Sequence, residues 1–91
     1  MYRVEAARTR IRRQLKLIPK SNLARIGAAV EALSQDPLPP GAIQLQTNIY
    51  RIRVGNYRVI YKVYDDQNLI LIGRVVRRSE STYRQIDKLF D

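Results

Sequence analysis

The stretch Tyr50-Arg51-Ile52-Arg53-Val54-Gly55-Asn56-Tyr57-Arg58-Val59-Ile60-Tyr61 decides how this chain folds. Two runs rich in β-branched and aromatic residues flank Gly55-Asn56, a pair suited to a two-residue hairpin turn. Such a turn sets Val54 opposite Tyr57, Arg53 opposite Arg58 and Arg51 opposite Ile60. Alternation then places Arg51, Arg53, Arg58 and Lys62 on one face. Tyr50, Ile52, Val54, Tyr57, Val59, Tyr61 and Val63 fall on the other, which needs a cover of helices. The basic face gathers three guanidiniums within roughly 5–8 Å of one another. Like charges opposed across a hairpin cost on the order of a few tenths of a kcal/mol. A phosphodiester held across the face offsets that cost, because guanidinium forks match phosphate oxygens bidentately. The plain alternative is a solvated face that keeps a small basic protein soluble.

Downstream, residues 69–77 read as a third strand and bring Arg74, Arg77 and Arg78. Their facing depends on the loop Asp65-Asp66-Gln67-Asn68. A four-residue loop pairs Tyr64 with Leu69 and sends Arg77 to the basic face. A three-residue loop, or a single bulge, sends Arg74 and Arg78 there instead. Both registers stay open at this point. Residues 81–90 read as a helix through Tyr83, Ile86, Leu89 and Phe90, with Ser79 or Ser81 as its cap. Tyr83 is either a core aromatic of that helix or a group that stacks on a base or moves a proton.

Upstream, Asp36-Pro37-Leu38-Pro39-Pro40-Gly41 is a connection no helix crosses. Before it the apolar period is 3.6. Ile11, Leu15 and Ile18 mark one helix ending near Pro19, and Leu23, Ile26, Val30 and Leu33 mark a second, capped by Ser21 or Asn22. Tyr2, Val4 and Ala6 alternate as a short first strand, and a weaker strand lies around residues 43–46. The order β-α-α-β-β-β-α predicts an α+β fold: a small antiparallel sheet packed against an N-terminal helical hairpin, with a C-terminal helix. Arg8, Arg10, Arg12, Arg13 and Lys16 surround the first helix, as a solvated face or as a sequence-blind contact to an RNA backbone.

With 91 residues the chain has room for one domain, residues 1–91, and no linker or repeat divides it. Seventeen Lys/Arg against eight Asp/Glu give a net charge of +9, which points to a polyanionic partner. There is no Cys and no His, which removes disulfides, thiolate and imidazole metal ligands and the commonest general base. The eight acids are scattered, so no metal site and no cofactor are expected. No apolar run approaches a membrane span and the first residues lack a signal-peptide core, so no membrane association and a cytoplasmic location are expected.

The element order, the core from Tyr50 to Tyr61, the Leu-Ser-Gln-Asp-Pro end of the second helix, and Arg-Val-Val-Arg-Arg followed by Tyr83 resemble the RelE/ParE toxin superfamily over nearly the whole chain. The resemblance implies the toxin of a type II toxin–antitoxin system. It further implies a RelE-like endoribonuclease that cuts messenger RNA in the ribosomal A site and is silenced by a cognate acidic antitoxin. Operator DNA is then bound only through the antitoxin complex. The family's catalytic positions match Arg51, Arg53, Arg58, Arg78 (or Arg77, by counting back from the tyrosine) and Tyr83. Arg74, Arg77, Lys62, Arg8, Arg12, Arg13 and Lys16 complete the expected RNA-binding set. Some relatives carry lysines where this chain has Arg51 and Arg53. Lysine can lose a proton among cations, whereas arginine effectively cannot. The expected chemistry is metal-independent and leaves a 2′,3′-cyclic phosphate. The rival readings are a ParE-like toxin that inhibits DNA gyrase without cutting RNA, and a non-catalytic RNA-binding module.

Overall fold

The computed structural model describes residues 1–78 and 85–90, apart from the Asp87 side chain. Strand β1 (Arg3–Ala6) leads into helices α1 (Arg10–Lys16) and α2 (Lys20–Ala32). Strands β2 (Ile43–Gln46), β3 (Ile49–Val54), β4 (Tyr57–Tyr64) and β5 (Leu69–Arg77) follow. Short 3-10 turns cover Asp65–Gln67 and Ile86–Phe90. The strands form one sheet in the order β1-β5-β4-β3-β2. The weak strand is therefore real, and its ladder to β3 is bulged between Gln44 and Gln46. One pair departs from the antiparallel expectation: β1 runs parallel to β5, from Arg3↔Leu69 to Ala6↔Ile72. The helical hairpin carries the chain from β1 at one edge of the sheet to β2 at the other, and β3 and β4 bring it back to β5 beside β1.

The turn at Gly55-Asn56 sets the predicted register, with Val54↔Tyr57, Arg53↔Arg58 and Arg51↔Ile60. Gly55 sits at φ +60°, where a side chain is strained, and the Arg25 guanidinium lies over it. Ile52, Tyr57, Val59, Tyr61, Val63, Ile70, Ile72 and Val75 form the apolar face and pack against Ile11, Ile18, Ile26 and Leu33 of the helical layer. Leu33, Val59 and Tyr61 are completely buried. The Tyr61 hydroxyl donates to the Pro37 carbonyl at 2.6 Å, which ties the proline-rich connection to the core. Burial comes first in raising its pKa far above the ordinary phenol value, with smaller contributions from Tyr50 and Asp36.

Helix α2 starts one residue before the expected cap. Pro19 occupies the cap position in extended geometry (φ −54°, ψ 145°), so Ser21 and Asn22 lie inside the helix, and no side chain caps it. Helix α1 runs along the part of β5 that β1 leaves uncovered. The β1 ladder ends as the Ala7 amide donates to the Ile72 carbonyl, and further along the Gln14 side chain accepts from the Val75 amide at 2.9 Å. Of the predicted C-terminal helix, the described part Ile86–Phe90 is a 3-10 turn, and the expectation over residues 79–84, with Ser79, Ser81 and Tyr83, lies outside the described residues. Among the described residues no helix is long and apolar enough to cross a membrane.

Candidate functional site

Arg53 and Arg58 stand directly opposite each other, and Arg51 shares their face two residues along β3. The third strand settles its facing by a bulge. Tyr64 pairs with Leu69, as a four-residue loop requires, but the ladder then passes from Tyr61↔Ile72 to Ile60↔Arg74 and leaves Gly73 unmatched. Every residue beyond Gly73 changes face. Arg74 comes opposite Ile60 and Val76 opposite Arg58, both on the basic face, whereas Arg77 comes opposite Tyr57 at the parity of the apolar face. The Arg78 amide donates to the Asn56 carbonyl at 2.8 Å. This prolongs the ladder by one step and gives Arg78 the parity of Val76. Arg77 thus leaves the plate, and Arg74 and Arg78 join it.

The basic face is not open along its length. Ile49 and Ile60 have the same parity as the arginines, and both are buried beneath Ile86 and Leu89 of the C-terminal turn. Phe90 sits on Gly73, where an added Cβ would come within 2.6 Å of the ring. The face expected to hold a phosphodiester is thus free over only part of its length, because apolar residues at one end demand a cover. Arg51 lies at the margin. It is only 6% exposed, and its Nε is buried without a hydrogen-bond partner among the described residues. Arg58 is half-buried and Arg53 exposed.

Lys62 shares the face but lies beyond the covered end, opposite Ile49 and Leu71, with its ammonium 5.2 Å from the Tyr64 ring centre. It does not join the arginines. Arg12, Arg13 and Lys16 are exposed on turns of α1 not occupied by Ile11, Gln14, Leu15 and Ile18. The Arg8 guanidinium donates to the Lys88 carbonyl at 3.2 Å and so links the start of α1 to the C-terminal turn. One cation of the α1 cluster, absent from the expected RNA-binding set, acts on the plate. Arg74 has its pKa lowered, first by burial and then by Arg10. Helix α1, packed along β5, thus places the Arg10 charge where it disfavours the protonated form of Arg74. Only the docking of α1 on β5 reveals this, although the run Arg8-Thr9-Arg10 was visible.

Two further features bear on the chemistry. Tyr61 is deeply buried and bonded to Pro37, so it is a framework group and not an acid or base facing the plate. Among the described residues no three carboxylates converge as metal ligands.

The comparisons with known proteins agree with this architecture. The family model described as the ParE toxin of type II toxin–antitoxin systems, parDE, matches residues 3–82. A putative toxin RelE1 of Methanocaldococcus jannaschii is 32% identical over 80 residues, covering 82% of this chain and 88% of that protein. The structure resembles the archaeal RelE–RelB complex of Pyrococcus horikoshii with TM-score 0.75 and 26% identity, over 88% of this chain and 98% of that one. It also resembles the toxin–antitoxin complex RelBE2 of Mycobacterium tuberculosis with TM-score 0.72 and 29% identity, over 85% and 98%. The family match across most of the sequence and the shared sheet-and-hairpin architecture show that the chain belongs to the RelE/ParE family of toxins of type II toxin–antitoxin systems.

Proposed function

We propose that this toxin is a ribosome-dependent endoribonuclease that cuts messenger RNA in the A site. The observation that carries the reading is the convergence of Arg53, Arg58 and Arg74 on one face beside the buried Arg51. Such a set suits a phosphodiester whose charge rises during the reaction. In this reading the ribose 2′-hydroxyl loses its proton and attacks the adjacent phosphorus. The bond from phosphorus to the 5′-oxygen breaks, that oxygen takes up a proton, and a 2′,3′-cyclic phosphate remains. Arg51 and Arg53 hold the phosphate, Arg58 clamps it, and Arg78 neutralises the leaving oxygen. Guanidiniums cannot accept the proton, so Tyr83 or an RNA or ribosome group serves as base. The protein groups act without a metal ion.

The fitting partner for a surface of this charge is an acidic antitoxin encoded beside the toxin. The similar structures from P. horikoshii and M. tuberculosis are complexes with RelB-type antitoxins. Operator DNA is reached through that complex, and the toxin acts in the cytoplasm.

Induction in cells, followed by mapping of messenger 5′ ends, tests the proposal. Codon-phased cuts on translated messages are expected. The ParE description of the matching family model favours a second reading, inhibition of DNA gyrase. That reading requires intact messages together with DNA-damage signalling.

A further inference from the structure

The bulge at Gly73 that removes Arg77 from the plate also gives it a new setting. Arg77 and Arg78 line a cleft of about 470 Å³ with Asn22, Asn56, Tyr57 and Pro19. The cleft lies between the join of α1 and α2 and the β3–β4 turn. Arg78 belongs to both places, since its amide is fastened to Asn56 while its parity is that of the basic face. An RNA strand crossing Arg53 and Arg58 therefore meets this cleft at the end of the sheet.

Among the described residues, no hydrogen bond or ion pair occupies the side chains of Asn22, Asn56, Arg77 or Arg78. Their chemistry is mixed. Each asparagine amide offers a donor and an acceptor, the pattern that reads a base edge. A carboxylate presents acceptors alone and leaves the amide oxygens unused. The two guanidiniums supply the phosphate contacts, and the mostly buried Tyr57 supplies an apolar floor. A cleft of this size holds one nucleotide.

We propose that this cleft is a nucleotide-recognition subsite. Asn22 and Asn56 discriminate one base of the message next to the cut linkage, and Arg77 holds its phosphate. The inference rests on the ribonuclease reading for its role in the cell, but the subsite can be tested without cleavage.

The test titrates the four ribonucleoside 5′-monophosphates, and separately inorganic phosphate, into the isolated full chain, with amide chemical shifts as the readout. Shifts are expected at Asn22, Asn56 and Arg77, with one nucleotide preferred by at least ~5-fold, in line with a single good base contact. The double change Asn22→Ala, Asn56→Ala flattens that preference to within about 2-fold, while Arg77→Ala weakens all four alike by roughly 10-fold. Both variants keep the wild-type melting temperature, since the altered side chains are exposed or half-buried. Equal binding of all four nucleotides and of phosphate overturns the inference, as does no binding at all. Tighter occupancy by a glutamate-rich peptide than by any nucleotide also overturns it and assigns the cleft to an antitoxin segment. Loss of messenger cleavage in cells, with nucleotide preference intact, removes the ribonuclease reading and leaves the subsite standing.

Discussion

The two ends of one sheet face have opposite chemistry. Near the β3–β4 turn Arg53 faces Arg58 beside Val76, whereas Ile60, two residue pairs away, and Ile49, four pairs away, lie under Ile86 and Leu89. The same strands and the same side-chain parity produce both. The isoleucines gain by leaving water, at about 25 cal/mol per Å² of apolar area. The guanidiniums lose by leaving it unless an anion meets them. The cover therefore extends over one end only, and Arg51 marks the border, buried with the isoleucines but charged like its neighbours.

The largest effect should come from the basic end. Arg53→Ala and Arg58→Ala should each raise survival after toxin induction by at least ~100-fold, the scale of losing one group that stabilises developing charge. Their melting temperatures should hold or rise, because a like-charge pair is relieved. Full killing by both variants would remove this end of the face from the function.

At the covered end, Ile60→Ala should cost about 2–5 kcal/mol in urea unfolding, as truncation of a completely buried residue does. A loss well under 1 kcal/mol would show that the C-terminal turn does not complete a core there. The border residue should behave differently from both. Arg51→Met keeps length and removes a buried donor that lacks a partner among the described residues, so stability should rise by ~1–3 kcal/mol while toxicity falls. A variant both less stable and fully toxic would contradict this account of the border.

The smallest effect belongs to the opposite face. Tyr61→Phe loses the hydrogen bond to Pro37 and should cost about 1 kcal/mol near neutral pH. The raised phenol pKa means that burial favours the neutral form. Its contribution is complete below pH ~10, the unfolded value, and falls as pH rises beyond it. The wild type should lose stability in that alkaline range more steeply than Tyr61→Phe, as denaturation at a series of pH values would show.

Much of this was legible in the chain. Gly55-Asn56 announces a tight turn, and the alternation around it assigns each β3 and β4 side chain to a face without tertiary information. The helical stripes Ile11, Ile18, Ile26 and Leu33 were equally plain, and all four are core. The cover over Ile49 and Ile60 was partly legible, since both fall on the basic face and the segment around Ile86 and Leu89 needs an apolar surface. Neither signal says that the two meet.

The hairpin register and the shared face of Arg51, Arg53 and Arg58 were determined by the sequence itself, because a two-residue turn and period-two alternation are local rules. Which of Arg77 and Arg78 shares the basic face, the parallel pairing of β1, the influence of Arg10 on Arg74 and the burial of Arg51 were decided only by tertiary structure. Each depends on segments far apart in the chain. The skip at Gly73 is where those distant constraints meet, since the Phe90 ring occupies the space that any larger residue there would fill.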